Sequence, residues 1–437
     1  MINVNTATKQ AWANSLITKK YKITFDGGYI DNSHIVDDSI NVSESILSSK
    51  SLEFVGCIAR KLEFKTDMAL NMNLKGKQIS VLCQAGNTED IPLFFGYIDE
   101  AKKEGMRGLK SIVAYDLLYS LSQIDATEWW NDLGAQTLIT AFKKLVSAFN
   151  IPCNMSDITF VNSTMMCFGG IYRKAKQLSV LDVLKQICQI NGCVGYITPN
   201  GTFAVKYLNV TRQLAIYPAD SVLPNDYIYP SDYTGGGVTP TIMPYYKSLE
   251  YEDYTVKLID KVIIRNTSED LGVFYPYTGD NAYIIQGNIF AFNQTGTALL
   301  HICENIYNVV RNANFRPFEG VQRSFPWLET GDSVTYYDVN DEGDYVEVTF
   351  LIMNRTVSGG SMLWDNFSAD GDESQQIFIT DLNAQLADLQ EQIDDIRPDT
   401  PDGSLHGMVT VEFTQPIESP TLGGIEEAVS GIATEIT

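Results

Sequence analysis

Residues Arg60 to Thr66 alternate, with Leu62 and Phe64 set between the charged Lys61, Glu63 and Lys65. A period of two puts the apolar pair on one face and the charges on the other, the pattern of a strand half-buried in a sheet. The rest of residues 1–122 reads the same way. Tyr21–Phe25 and Tyr29–Ile30 flank Asp26-Gly27-Gly28, which supplies the flexible residues of a hairpin turn. Further strands are expected at Gln78–Cys83, Pro92–Asp99 and Leu109–Tyr115, the last two separated by a polar turn over 101–108. A parallel nucleotide-binding sheet needs helices between its strands, and none is patterned here, so residues 1–122 predict a barrel or sandwich.

The pattern changes over residues 123–212. Leu138, Ile139, Phe142, Leu145, Val146 and Phe149 recur at helical spacing. Ser179 with Asp182 caps a second helix carrying Val183, Leu184, Ile187 and Ile190, and Gly192 stops it. Val194–Thr198 and Thr202–Leu208 then flank Pro199-Asn200-Gly201 as a hairpin, giving a small α/β domain. Residues 213–246 are rich in Pro, Gly and Tyr and read as a crossing linker. Strands return over 247–372, at Thr255–Arg265, Ser333–Val339 and Tyr345–Asn354, interrupted by a helix from Thr297 to Asn312. A second barrel is the simplest account, with no sequence repeat between the two β regions.

Residues 373–398 carry a narrower signal. Ile379, Leu382, Leu386, Leu389, Ile393 and Ile396 alternate three and four apart, the a/d seam of a coiled coil, and Pro398 ends the run. A stripe that narrow calls for a partner helix, so these six residues are the expected self-association interface. Over 399–437 a polar turn leads to a short strand at Met408–Phe413. Leu422, Ile425, Val429, Ile432 and Ile436 again step by three and four, and Gly423, Gly424 and Gly431 weaken that stretch as a lone helix. A partner-docking segment is expected there. The chain is thus α+β, mainly β.

Net charge is −23, and its placement is uneven. Residues 1–265 hold 26 Lys and Arg against 26 Asp and Glu, whereas 266–437 hold five Arg, no Lys and 28 Asp and Glu. Such a surface repels phosphate backbones, which excludes a grip on nucleic acid and suits a wall that DNA slides past. No apolar run is long enough to span a bilayer, and Met1–Leu16 lacks the basic flank and apolar core of a signal peptide. A soluble chain without stable membrane insertion is expected. The seven cysteines, Cys57, Cys83, Cys153, Cys167, Cys188, Cys193 and Cys303, form no C-x-x-C pair and read as buried thiols.

Catalytic and cofactor patterns are lacking. His34, His301 and His406 lie in three separate regions without metal-ligand spacing, and no phosphate loop, dinucleotide fingerprint or nucleophile elbow occurs. Asp338, Asn340, Glu342 and Gly343 imitate half an EF-hand loop, but Thr349 stands where a bidentate carboxylate is required, so a β-turn is expected. No catalytic, cofactor or metal residue is assigned. Two other readings stay open. A lysin or endopeptidase would need a catalytic His, Cys or carboxylate pair in the α/β domain, and a glycan-binding receptor module would need Trp129-Trp130 and the aromatics of 213–246 facing solvent.

Several phrases carry a resemblance: SLEFVGCIARKLEFKT at 51–66, GYIDEAKKEGMRGLKSIVAYDLLYSLSQID at 96–125, EWWNDL at 128–133 and LKQICQINGCVGYITPNGTFAVKYL at 184–208. With the order barrel, α/β domain, barrel and coil, they resemble the tail hub proteins of long-tailed bacteriophages, especially the baseplate or tail-tip hub of phages of Gram-positive bacteria. The resemblance spans roughly residues 20–370.

It implies a structural virion protein, assembled in the host cytoplasm and seated at the tail tip. The expected form is a homotrimer whose two tube-like barrels per chain make a pseudo-sixfold ring, matching a sixfold tail tube to a threefold spike or fibre. The implied partners are the chain itself, a distal tail or tail-tube protein above, a spike, fibre or lysin below, and DNA in transit. Many such proteins continue into a wall-cutting or host-binding domain. Here about forty residues follow Pro398, which points away from wall cutting and toward a separately encoded tip component.

Overall fold

The structure, a computed structural model, describes residues 2–13, 17–46, 54–68, 72–105, 108–171, 175–209, 215–218, 245–266, 270–339, 345–359, 363–371 and 373. Helix α1 (Thr6–Ala13) buries Trp12 and packs on the first β region. Strand β1 (Lys19–Phe25) turns at Asp26-Gly27, where Gly27 holds a φ of +102 that a side chain would strain, into β2 (Gly28–Asp31). There follow β3 (Ile40–Ser45), β4 (Lys61–Thr66), β5 (Gln78–Ala85), β6 (Ile91–Glu104) and β7 (Leu109–Tyr115). Strand β4 buries Leu62 and Phe64 on one face and leaves Lys61, Glu63 and Lys65 half-exposed on the other. Of the stretch expected as a polar turn over 101–108, Ala101–Glu104 is instead strand, with turn at Gly105 and Gly108. A bulge between Ile98 and Glu100 redirects β6, which continues along β7 as far as Glu104.

The middle region holds α2 (Leu117–Leu121), α3 (Thr127–Asn131), β8 (Gly134–Thr137), α4 (Leu138–Ala148), β9 (Met166–Gly169), α5 (Val180–Gln189), β10 (Val194–Ile197) and β11 (Phe203–Lys206). Its apolar periodicity becomes packing: α4 buries Leu138, Ala141, Phe142 and Leu145, and α5 buries Val183, Leu184, Ile187 and Cys188. A reciprocal cap opens α5, Ser179 Oγ accepting from Asp182 N and Asp182 Oδ2 accepting from Ser179 N. The pairs β8·β9 and β10·β11 are small antiparallel hairpin-like sheets.

The second β region comprises β12 (Ala215–Pro218), β13 (Tyr245–Tyr251), β14 (Lys261–Arg265), β15 (Val273–Tyr275), β16 (Ala282–Gln286), α6 (Gly296–Val310), β17 (Phe318–Arg323), β18 (Ser333–Val339), β19 (Tyr345–Leu351), β20 (Asn354–Gly359) and β21 (Leu363–Ala369). The strand expected over Thr255–Arg265 is only its last five residues, and it lies outside the main sheet. Strand β14 pairs with β15 and β16 in a three-stranded sheet covered by α6. That module packs on the middle region. Asn288 Nδ2 donates to Gln186 O and Gln189 Oε1, Asn305 Nδ2 donates to Asn162 Oδ1, and Phe290 meets Trp130 edge-on. Gly192, at φ +61, leaves room for Val310 of α6, whose Cγ1 would stand 2.8 Å from a β-carbon.

In place of two separate barrels, fourteen strands form one sheet in the order β19-β18-β12-β13-β17-β21-β20-β3-β4-β7-β6-β5-β1-β2, with no closed barrel among the described residues. The two β regions meet edge to edge where β20 pairs antiparallel with β3, Val357 opposite Val42. On either side of this joint the chain takes the same path. In the first region β3, β4, β6 and β7 lie as β3-β4-β7-β6, and in the second β13, β17, β20 and β21 lie as β13-β17-β21-β20. Counted by order of appearance, both quartets read first, second, fourth, third, and every pairing is antiparallel. The duplication that the sequence conceals is present in the topology. The coil residues Ile379, Leu382, Leu386, Leu389, Ile393 and Ile396 and the docking residues Leu422, Ile425, Val429, Ile432 and Ile436 lie outside the described residues, as does most of the 213–246 linker.

Candidate functional site

The joint between the β regions is built around two buried arginines. Arg355 occupies an inward position of β20, where alternation places Arg355, Val357 and Gly359 in the core. Its guanidinium holds Asp365 on neighbouring β21, with Nη2 3.1 Å from Oδ2 and 3.2 Å from Oδ1, and reaches Glu44 Oε1 on β3 at 3.3 Å. It also donates to the carbonyls of Leu328 and Phe325. Asp365 is completed by Ser324 Oγ at 3.0 Å and Phe325 N at 2.8 Å. Arg60, just before β4, places Nη2 2.6 Å from Glu44 Oε2 and 3.6 Å from Glu329 Oε1, close charge contacts without hydrogen-bond alignment. Every side chain in these ion pairs is 7% exposed or less.

A third cation joins the middle region to the same cluster. Lys206, at the end of β11, donates to Thr330 O at 2.9 Å and Asp332 Oδ1 at 3.0 Å, and lies 3.9 Å from Glu329 Oε2. Burial pulls its ammonium down, but Asp332 and Glu329 outweigh that and hold it above the usual lysine range. Glu329 mirrors it: burial raises its carboxyl, and Lys206 with Arg60 bring it below the ordinary value. Arg355 follows the same logic, Asp365 and Glu44 overcoming the cost of its burial. Asp116 differs. It caps α2, its oxygens accepting from Arg60 N and Leu118 N at 3.0 Å, and burial pushes it up to about 7 despite those bonds and the nearby Arg60 charge. The cluster thus ties β3, β4, β11, β20, β21 and the 324–332 loop by charge. Chemically it is a fastening, because each ion is held by partners of opposite sign and all but Lys206, 17% exposed, are closed off from solvent.

The sequence did not point to Glu44, Arg60, Lys206, Glu329, Asp332, Arg355 or Asp365. The one available signal is a cation inside an apolar strand pattern, as in LIMNRTV around Arg355 and FAVKYL around Lys206. The described histidines are dispersed over the fold. His34 pairs with Asp67 at 3.0 Å on the surface, and His301 lies 3.7 Å from Glu304 on the same helix. His406 and 340–344 lie outside the described residues; Asp338 accepts from Tyr251 Oη at 2.7 Å. Among the described residues no three His, Cys, Asp or Glu side chains are grouped to hold a metal ion, and no helix is long and apolar enough to cross a membrane. Cys57 and Cys188 approach to 4.0 Å, and Cys193 Sγ donates to Cys188 O. Hydrogen bonding between the thiols and burial push Cys57 far above an ordinary thiol, so it is a poor nucleophile. Trp130 is 3% exposed and packs on Phe290, while Trp129 meets Phe149 edge-on. Neither is arranged as a solvent-facing stacking platform.

On the outer face of β13, β17, β20 and β21 lies an open groove of about 540 Å³. Its carboxylates are Glu250, Glu252, Glu319 and Asp370, accompanied by Asn354 and Asn366. Asn366 Nδ2 donates to Glu319 Oε1 at 2.9 Å. This surface repels polyanions and offers no buried, pre-arranged acid and base.

Solved structures similar to this chain are tail proteins and a component of a related secretion machine. The tail protein of Neisseria meningitidis shares 12% identity at a TM-score of 0.49, over 82% of this chain and 98% of that one. The 43 kDa tail protein of prophage MuSo2 from Shewanella oneidensis shares 11% at 0.48, over 81% and 97%. An Escherichia coli component of the type VI secretion system shares 9% at 0.37, over 80% and 77%. Neither a protein-family model nor a curated protein matches the sequence.

Proposed function

We propose that this chain is the structural hub of a bacteriophage tail tip, a homotrimer that closes the distal end of the tail tube. The observation that carries this reading is the repeated path: two quartets of identical strand order, joined edge to edge through β20 and β3. One chain then supplies two equivalent units, and three chains supply six. That count fits a sixfold tube above and a threefold spike, fibre or lysin below. The sequence resemblance to hubs of phages of Gram-positive bacteria supports the same assignment, with two tube-like domains, an α/β domain between them and a trailing coil.

The role is mechanical, and no catalytic step is assigned. Glu250, Glu252, Glu319 and Asp370, with the lysine-free stretch 266–437, suit a channel that lets DNA pass without holding it. Trimerisation is assigned to Ile379, Leu382, Leu386, Leu389, Ile393 and Ile396, and tip docking to Leu422, Ile425, Val429, Ile432 and Ile436. The protein belongs at the virion tail tip, assembled in the host cytoplasm beside a distal tail or tail-tube protein. Light scattering of the purified chain tests the reading. Three times 48.7 kDa is expected, and a monomer or dimer at low and moderate salt would overturn it.

A further inference from the structure

Three thiols lie together where the first β region meets α5 and β10. Residues Phe54 to Cys57 form a strap ahead of β4. Phe54 is fully buried, edge-on to Tyr283 of β16, Cys57 N donates to Gly195 O at 2.7 Å, and Gly195 N donates to Val55 O at 3.0 Å. Cys57 holds φ +52, a left-handed backbone that residues with a side chain rarely adopt. In that conformation its Sγ stands 4.0 Å from Cys188 Sγ on α5. Cys193, just ahead of β10, completes the group and donates its thiol proton to Cys188 O.

The backbone is shaped around these sulfurs. A β-carbon at Gly195 would stand 2.7 Å from Cys57 Sγ and 2.8 Å from Cys188 Sγ, inside contact distance, so glycine is what lets β10 pass against the pair. Both side chains are closed in, Cys57 at 2% exposed and Cys188 at 0%. A disulfide brings its sulfurs to about 2.05 Å, so from the present contact each has to move by about 1 Å, the scale of a side-chain rotation. Cys57 and Cys188 touch sulfur to sulfur across two regions of the fold.

We infer that Cys57 and Cys188 are a latch that a peroxide closes into a disulfide, fastening the strap of the first β region to α5 of the middle region. Cys57, the less enclosed of the two, reacts first. It gives its proton to solvent and its sulfur attacks a peroxide oxygen; the O–O bond breaks, hydroxide leaves and becomes water, and Cys57 is a sulfenic acid. Cys188 Sγ then attacks the Cys57 sulfur, the S–O bond breaks, and the oxygen departs with the Cys188 proton as a second water. Two thiols are oxidised to one disulfide and one peroxide is reduced to two waters. Burial keeps the thiols protonated, so the closure is slow. It ties together residues 131 apart in sequence. On the hub reading the bond stays open in the reducing host cytoplasm and closes once the particle is outside. That timing rests on the hub reading; the bond itself does not.

The test incubates the full chain with hydrogen peroxide, alkylates it with N-ethylmaleimide in urea and digests it with trypsin in the absence of reductant. Peptides 51–60 and 186–206 should appear joined, their summed mass lower by two hydrogens, with fragment ions placing the link at Cys188. Cys193 and Cys83, both also buried, should be found alkylated. The oxidised chain should have a higher urea midpoint, its unfolding constant lowered by at least about tenfold, and dithiothreitol should reverse both changes. Cys57→Ala should abolish the link and the shift, whereas Cys193→Ala should keep them. A bond between Cys188 and Cys193 overturns the latch. So does finding Cys57 and Cys188 both alkylated after peroxide that has oxidised the half-buried Cys153. A link that leaves the midpoint unchanged overturns its fastening role. None of these readouts depends on the mass by light scattering, so the hub reading stands or falls separately.

Discussion

Arg355 and Glu44 are partners twice over: they stand opposite one another in the β20·β3 register, and their side chains form an ion pair at 3.3 Å. The pairing that fuses the two β regions is therefore specified by charge as well as by main-chain hydrogen bonds. Removing one ion strands the others in a site closed to water. Arg355→Met should leave Asp365 uncompensated and Glu44 with Arg60 alone, and cost about 3–5 kcal/mol, read as a lowered urea midpoint. Val357→Ala, on the same strand but only apolar, should cost less.

Lys206 performs the matching task for the middle region. With Lys206→Met, Asp332 loses the ammonium at 3.0 Å and Glu329 the same cation at 3.9 Å. Amide exchange should rise first along β10 and β11, where the hairpin meets the 329–332 loop. Unchanged exchange there would show that apolar packing alone seats the hairpin.

Asp116 gives a pH dependence whose sign can be worked out. Its folded value of about 7 lies above the ordinary 3.8, so between those values the folded chain binds the extra proton. The stability it contributes is present in full below about pH 4 and is lost as pH rises through 7. Asp116→Asn removes that slope at the cost of a constant offset. The urea midpoint of the wild type should lose ground to the variant between pH 5 and pH 8, and parallel profiles would refute the assignment.

Trp130 tests the docking of the three-stranded module on the middle region, since it is buried against Phe290 at 5.1 Å. Trp130→Ala should open a cavity and cost about 3–5 kcal/mol in calorimetric or denaturant unfolding.

For the coil, Leu386→Asp with Leu389→Asp puts two charges into the seam and should convert trimers to monomers in light scattering. A variant that stays trimeric would assign the ring to the β regions.

Local pattern was readable wherever a single element decides it. The alternation Lys61-Leu62-Glu63-Phe64-Lys65 becomes β4, and Ser179 with Asp182 becomes the cap of α5. What escaped depends on partners distant in sequence. The lysines at 102 and 103 look like turn residues until β7 is seen to draw them into strand, and Thr255–Arg265 alternates yet meets β15 and β16 instead of the main sheet. A cation in a strand is ordinarily turned to solvent, and only tertiary pairing holds Arg60, Lys206 and Arg355 at the joint. The joint β20·β3 joins stretches with no pattern in common, and the repeated path of the two quartets survives in backbone order after any likeness of sequence has gone.

The distance along the chain between the two sides of that joint sets an order of events during synthesis. Arg355 and Glu44 are 311 residues apart, so β3 leaves the ribosome long before its partner exists. Closing so long a loop has an entropic cost that local hairpins avoid, which makes the joint a late step in folding. Until β20 arrives, the inner edge of the first β region is open to any passing strand, including that of another nascent copy. Glu44, held in that interval by Arg60 alone, is an acid that discourages such premature partners and gains its second cation only when Arg355 comes into place.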